Sequence, residues 1–132
     1  MAETVLPAIA LARRESSHDR LTDAEEQLLY ESMLRITTGA LPSTEAPPPD
    51  PSRPLLLGWS LGGAADEAAL RCFGLLRPAG LQFEVVPGQR LTSEFHAEIE
   101  ARHPAAILIS ATPPGSHDTA RLQLRRLRTL FP

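Results

Sequence analysis

Leu55-Leu56-Leu57-Gly58-Trp59-Ser60-Leu61-Gly62-Gly63-Ala64-Ala65-Asp66-Glu67 is the stretch on which the fold turns. An apolar run closes on glycine, and a turn of glycine and serine opens onto helix-forming residues. Leu55 to Leu57 ending in Gly58 reads as a strand buried on both faces, the habit of parallel sheets. Ala64 to Leu76 reads as a helix, closed by Pro78 and Gly80. The alternation then repeats. Gln82 to Val86 is a second strand, turned by Pro87-Gly88, and Thr92 or Ser93 caps a helix to about Arg102 with Phe95 and Ile99 inward. Ala105 to Ser110 is a third, wholly apolar strand, and after Thr112-Pro113-Pro114-Gly115 a last helix capped by Ser116 sets Leu124, Leu127 and Phe131 on one face. Strands alternating with helices of this length imply parallel pairing and right-handed crossovers.

The expectation for 54–132 is therefore α/β: a flavodoxin-like, three-layer open parallel sheet of three βα units in the order 2-1-3. Three strands make a thin sheet, so either the sequence is a fragment or a partner completes the sheet. Upstream, residues 1–38 carry helical periodicity and a single proline, Pro7. Val5, Leu6, Ile9 and Leu11 give an apolar start, Arg13-Arg14-Glu15 a polar turn, and Ser16 to Asp19 a break. Thr22 then opens a second helix with Glu25 at capping-box spacing. Leu28, Leu29, Met33 and Ile36 supply its apolar stripe, and such a hairpin needs another surface to cover it. Between the two parts, 39–53 is a linker crowded with Pro42, Pro47, Pro48, Pro49 and Pro51, which favours extended conformation.

Composition narrows the classes of function. The 132 residues suit one domain with a small appended segment, and a net charge of −3 gives no reason to expect a nucleic acid. All 13 basic residues are arginine. Cys72 is the only cysteine, which rules out an internal disulfide and favours the cytosol; in an apolar helix it reads as core. No run approaches the roughly 20 apolar residues that cross a bilayer, and the start has no signal-peptide pattern. The four histidines are scattered, so no zinc site is expected. Arg121, Arg125 and Arg128 form a stripe on the last helix that reads as a solvated face.

In open parallel sheets ligands sit beyond the carboxyl ends of the strands, where strand order reverses. Here that crevice lies between the first and third strands, and its loops are 58–63 and 110–116. Gly58, Ser60, Gly62, Gly63, Ser110, Thr112, Gly115 and Ser116 are the candidate ligand-binding residues, because glycine and hydroxyl loops feeding helix N-termini favour oxygen-rich ligands. Such loops also want Gly, Ser and Pro for turn geometry alone.

Gly58-Trp59-Ser60-Leu61-Gly62 also matches G-x-S-x-G, the nucleophile elbow of α/β-hydrolases, at the strand-to-helix turn that motif requires. A serine hydrolase using Ser60 is thus the alternative from a different class. Against it, no oxyanion loop of the HGGG type is present, and Asp118, His103 and His117 are poor candidates for acid and base. Asp66-Glu67 would also bring carboxylate charge near the oxyanion. Ser-His-Asp occurs as neighbours at 17–19 and 116–118, but adjacent side chains do not converge as a triad. No catalytic residue is assigned.

Four stretches carry a family resemblance: Gly63-Ala-Ala-Asp-Glu-Ala-Ala-Leu, Leu76-Arg-Pro-Ala-Gly-Leu-Gln-Phe-Glu-Val-Val, Ala106-Ile-Leu-Ile-Ser-Ala-Thr-Pro-Pro-Gly and Leu124-Arg-Arg-Leu-Arg-Thr-Leu-Phe-Pro. Together they resemble the soluble tail of autoinducer-2-exporter-like permeases, itself similar to a cobalamin-binding, flavodoxin-like domain. The stretch from Val5 through Leu21 resembles the helical segment joining membrane part to tail. The resemblance implies a cytoplasmic regulatory or ligand-binding module, at the inner face of the membrane, rather than a catalyst. Its partners would be a membrane-embedded permease segment or a second copy of the chain. Cobalamin domains ligate cobalt through a histidine in a D-x-H-x-x-G loop after the first strand; here that loop is Ser60 to Asp66 with no histidine. No resident cofactor is therefore expected. Ser110 corresponds to the serine that approaches the nucleotide tail, which leaves cobalamin carriage, or weak binding of another nucleotide-like molecule, as a further alternative.

Overall fold

A computed structural model describes residues 2–18, 20–40, 50–61, 63–78, 80–86, 92–114 and 117–132. The elements run α1 (Ala2–Ser16), α2 (Asp23–Ala40), β1 (Leu55–Ser60), α3 (Ala64–Leu76), β2 (Gln82–Val86), α4 (Thr92–Arg102), β3 (Ala106–Ser110) and α5 (His117–Leu130). The three strands are parallel in the order β2-β1-β3, the flavodoxin-like arrangement read from the sequence. Gly58 sits opposite Val85 on one side and Leu108 on the other, and Ser60 opposite Ser110.

Local chemistry accounts for the boundaries. Thr22 and Glu25 form the capping box: Glu25 Oε2 accepts from the Thr22 N–H at 2.8 Å, and Thr22 Oγ1 from the Glu25 N–H at 3.3 Å. Alanine and leucine carry α3, with Asp66 and Glu67 in the first turn where the helix dipole favours carboxylates. It stops because Pro78 forces Arg77 into extended backbone, with ψ 152°.

The side chains of β1 divide between two cores. Leu57 and Trp59 face α4 and α5, packing with Phe95, Ile99 and Leu127, and the Trp59 and Phe95 rings stack at 4.2 Å. The other face is covered by α3, and the outer side of α3 by the N-terminal hairpin. Val5, Ile9 and Ala12 of α1 and Tyr30 of α2 close on Ala65, Ala68 and Cys72. The surface that the hairpin requires is thus α3 of the same chain.

Several details depart from the sequence reading. β1 continues through Gly58 to Ser60, because Gly58 is a close-packing position and not a strand end. A Cβ there would lie 2.7 Å from Phe83 Cζ, and one at Gly74 2.7 Å from Phe83 Cδ1, so the Phe83 ring fits only between two glycines. α1 ends at Ser16, at the expected break and after the polar residues Arg13-Arg14-Glu15, whereas β3 begins one residue late, at Ala106. Leu124 is exposed, and Ala120, Gln123 and Leu127 form the buried face of α5. The inward stripe of α2 also differs in part: Glu26, Tyr30 and Thr37 are buried and Met33 packs against the core as expected, while Leu28, Leu29 and Ile36 are exposed. α2 extends through Gly39-Ala40, so the linker starts later; its prolines 42 and 47–49 lie outside the described residues.

Candidate functional site

Beyond the ends of β1 and β3 the crevice is spanned by one carboxylate. Asp66, in the first turn of α3, is 1% exposed. Its Oδ1 accepts from the Thr112 N–H and from Thr112 Oγ1, each at 2.5 Å, and from Ser110 Oγ at 3.4 Å. The carboxylate therefore ties the loop after β3 to α3 across the position where strand order reverses. Oδ2 is buried without a hydrogen-bond partner among the described residues. Glu67, next in sequence, turns outward and pairs with Arg71 at 2.5 Å.

The candidate residues fall into distinct roles around this clamp. Ser110 and Thr112 are its donors. Ser60 is 1% exposed and donates to the Gly63 carbonyl at 3.3 Å, so its hydroxyl lies under the turn and faces no open space. Gly63 has φ 97°, a left-handed backbone that favours glycine. Gly58 makes room for Phe83. Gly62, Gly115 and Ser116 lie outside the described residues. The sequence reading treated Asp66 only as unfavourable charge. An Asp in the first turn after Gly-Gly, with a Ser-Ala-Thr loop two strands away, was the available signal.

A second polar group lies where the hairpin meets α3. Glu26, 5% exposed, accepts from Ser16 Oγ at 2.6 Å and Tyr30 Oη at 2.5 Å, with Arg13 at 3.6 Å. Burial pushes its carboxyl up, but the bonds from Ser16 and Tyr30 and the Arg13 charge outweigh that and hold it below the usual range. Burial, the bond to Glu26 and the nearby charges of Glu26 and Asp66 push the Tyr30 phenol well above its ordinary value. Burial likewise pushes the Cys72 thiol up, against a smaller opposing contribution from Thr37.

Outside the clamp, a groove of about 380 Å³ separates the end of α1 from the loop after β3, lined by Ala10, Leu11, Arg14, His18, Pro113 and Pro114. Its lining is largely apolar, with one guanidinium and one imidazole. Among the described residues no cluster of His, Cys, Asp and Glu is placed to hold a metal ion. No described helix is long and apolar enough to cross a membrane. Comparison with known protein families, with curated proteins and with solved structures finds no match to this chain.

Proposed function

We propose that this chain is a non-catalytic regulatory or ligand-binding module, of cobalamin-binding-like fold without the cobalt-ligating histidine, attached to or derived from a permease-type transporter. The observation that supports it is the Asp66 clamp. The hydroxyls that would greet a ligand at the strand ends are donated to the protein's own carboxylate, and Ser60 is spent on the Gly63 carbonyl. A serine nucleophile needs a base within hydrogen-bond reach and an open path for substrate. Neither is seen at Ser60 among the described residues. A ligand would instead enter the groove beside the clamp, whose volume lies within the range of small-molecule sites. Arg14 and His18 suit a small, partly apolar molecule carrying an anionic group, as a nucleotide-like ligand does.

Gel filtration after incubation with hydroxocobalamin should show no red absorbance eluting with the protein; co-elution would replace this reading with a cobalamin carrier. A fluorophosphonate probe should leave the protein unlabelled. Labelling that disappears in Ser60→Ala would overturn the non-catalytic assignment. Adenine nucleotides should raise the melting temperature of the wild type and not of Arg14→Ala. No rise in either protein removes the groove as a nucleotide site. The transporter association predicts hydrophobic spans of about 20 residues encoded directly upstream, and their absence there would end that part of the reading.

A further inference from the structure

α2 carries apolar residues on two faces, with Tyr30, Met33 and Leu34 packed inward and a second set left in water. Glu26, Tyr30 and Thr37 point into the protein, whereas Leu28 and Ile36 are 63% and 66% exposed and Leu29 is 37% exposed. At about 3.6 residues per turn, Leu28, Ser32 and Ile36 follow one another up a single face, with Leu29 beside them. α1 and α3 both pack on the opposite side, through Tyr30 and its neighbours. Three bulky apolar side chains left in water on one face, with only Ser32 between them, mark an interaction surface.

We infer that this stripe is the interface of a two-fold dimer, in which α2 packs antiparallel against α2 of a second copy of this chain. The charge pattern selects that occupant. Glu31 and Arg35 stand on one flank of the stripe, one turn apart and both exposed. Glu31 accepts only from the Gln27 amide, and Arg35 has no ion pair among the described residues. A two-fold axis passing beside Ser32 sets Leu28 level with Ile36 of the second copy. The same axis brings Arg35 within two residues of level with Glu31 of the second copy, about 3 Å along the helix and within reach of its side chain, and symmetry makes the pair twice. A parallel two-fold pair carries this flank to the opposite side of the interface, where Arg35 and Glu31 of the two copies do not meet. The stripe is therefore self-complementary in one direction only. An acyl-chain surface would use the leucines but has no use for the alternating flank.

Sedimentation of the full chain over a range of concentrations tests it. The expected wild-type species has twice the 14.3 kDa chain mass. Leu28→Ser with Ile36→Ser should be monomeric with an unchanged far-UV spectrum, because both side chains are already exposed. Arg35→Glu and Glu31→Arg should each weaken the dimer at least about tenfold, since both symmetry-related pairs become repulsions. The double reversal Glu31→Arg with Arg35→Glu should restore it, which no general loss of helix or of apolar area could do. A wild type that stays monomeric, a dimer indifferent to the Leu28 and Ile36 changes, or a double reversal no better than the single ones would each overturn the inference. So would a monomeric wild type that binds lipid vesicles through the same stripe.

Discussion

The two faces of the sheet are built on different terms. Toward α4 and α5 the core is made of bulky apolar groups: Leu57, Trp59, Val86, Phe95, Ile99 and Leu127. Toward α3 and the hairpin small residues, Ala12, Ala65, Ala68 and Cys72, are closed over by Val5, Ile9 and Tyr30, and four buried polar side chains gather on that side: Glu26, Thr37, Ser60 and Asp66. A bulky apolar core is specified by volume, so it tolerates approximate packing and responds to lost atoms. Where small residues line α3 the backbones approach closely, and the buried polar groups must then find partners at fixed distances. The second face therefore fixes position as much as stability. It is also the face that ties down the loop after β3 and the end of α1, the two segments around the groove.

The contrast makes its largest prediction on the apolar face. Phe95→Ala removes the ring stacked on Trp59 at zero exposure and leaves a gap in the middle of this core. Unfolding in urea should show a loss of about 3–5 kcal/mol with the slope unchanged. A loss near that of a surface substitution would mean the face is not the stability core. On the polar face, Asp66→Ala strands the Thr112 N–H and leaves two hydroxyls to find new partners. The expected loss is about 3 kcal/mol, the upper end for hydrogen bonds to a charged group. The signature should be local: amide exchange at Thr112 should speed up far more than exchange in β1. Uniform acceleration would show that Asp66 supports the whole fold and is no clamp.

The sequence was informative in proportion to how local the deciding interactions are. α3 and β2 could be bounded to the residue, and α4 to within one or two, because Pro78, Gly80 and Thr92 act on backbone torsions next to them. The 2-1-3 strand order is legible only through the flavodoxin-like pattern of successive βα units, since right-handed crossovers alone also permit 1-2-3. Gly58 misled because its cause, the Phe83 ring, lies on another strand. α2 misled because periodicity assumes that apolar residues face inward, whereas the Glu26–Tyr30–Ser16 bonds set its orientation from the other helix. The crevice loops were legible as loops. Their mutual closure by Asp66 was not, since it depends on a contact between residues 46 apart.

Gly58 also permits an intermediate test, because Phe83 packs where β1 meets α3. Gly58→Ala places a methyl 2.7 Å from Phe83 Cζ, and the ring cannot retreat because Gly74 confines its other edge. Overpacking of this kind should cost about 2 kcal/mol. Phe83→Leu removes the offending edge, so in the Gly58→Ala background it should cost less than it does in the wild type. Additive effects would show that the ring moves freely and that the α3 face is loosely packed after all.

The smallest effect is the one that separates the faces by chemistry instead of volume. Glu26 titrates near 4.5 in the unfolded chain and lower in the fold, so the unfolded state takes up its proton first. Its contribution is therefore complete above about pH 4.5 and fades as the pH falls through the folded value. Glu84, held down by its bonds from Arg102, acts in the same direction, so the wild type alone cannot isolate Glu26. Glu26→Gln can. Near neutral pH it should be less stable by about 1 kcal/mol, the order of one hydrogen bond to a charged group exchanged for a neutral one. The gap should close in acid, where the wild-type side chain is protonated too. Phe95→Ala should show no such closure, because nothing removed there titrates. A Glu26→Gln gap that stays constant into acid would mean the α1–α2 contact is held by packing, and the two faces would then differ only in the size of their side chains.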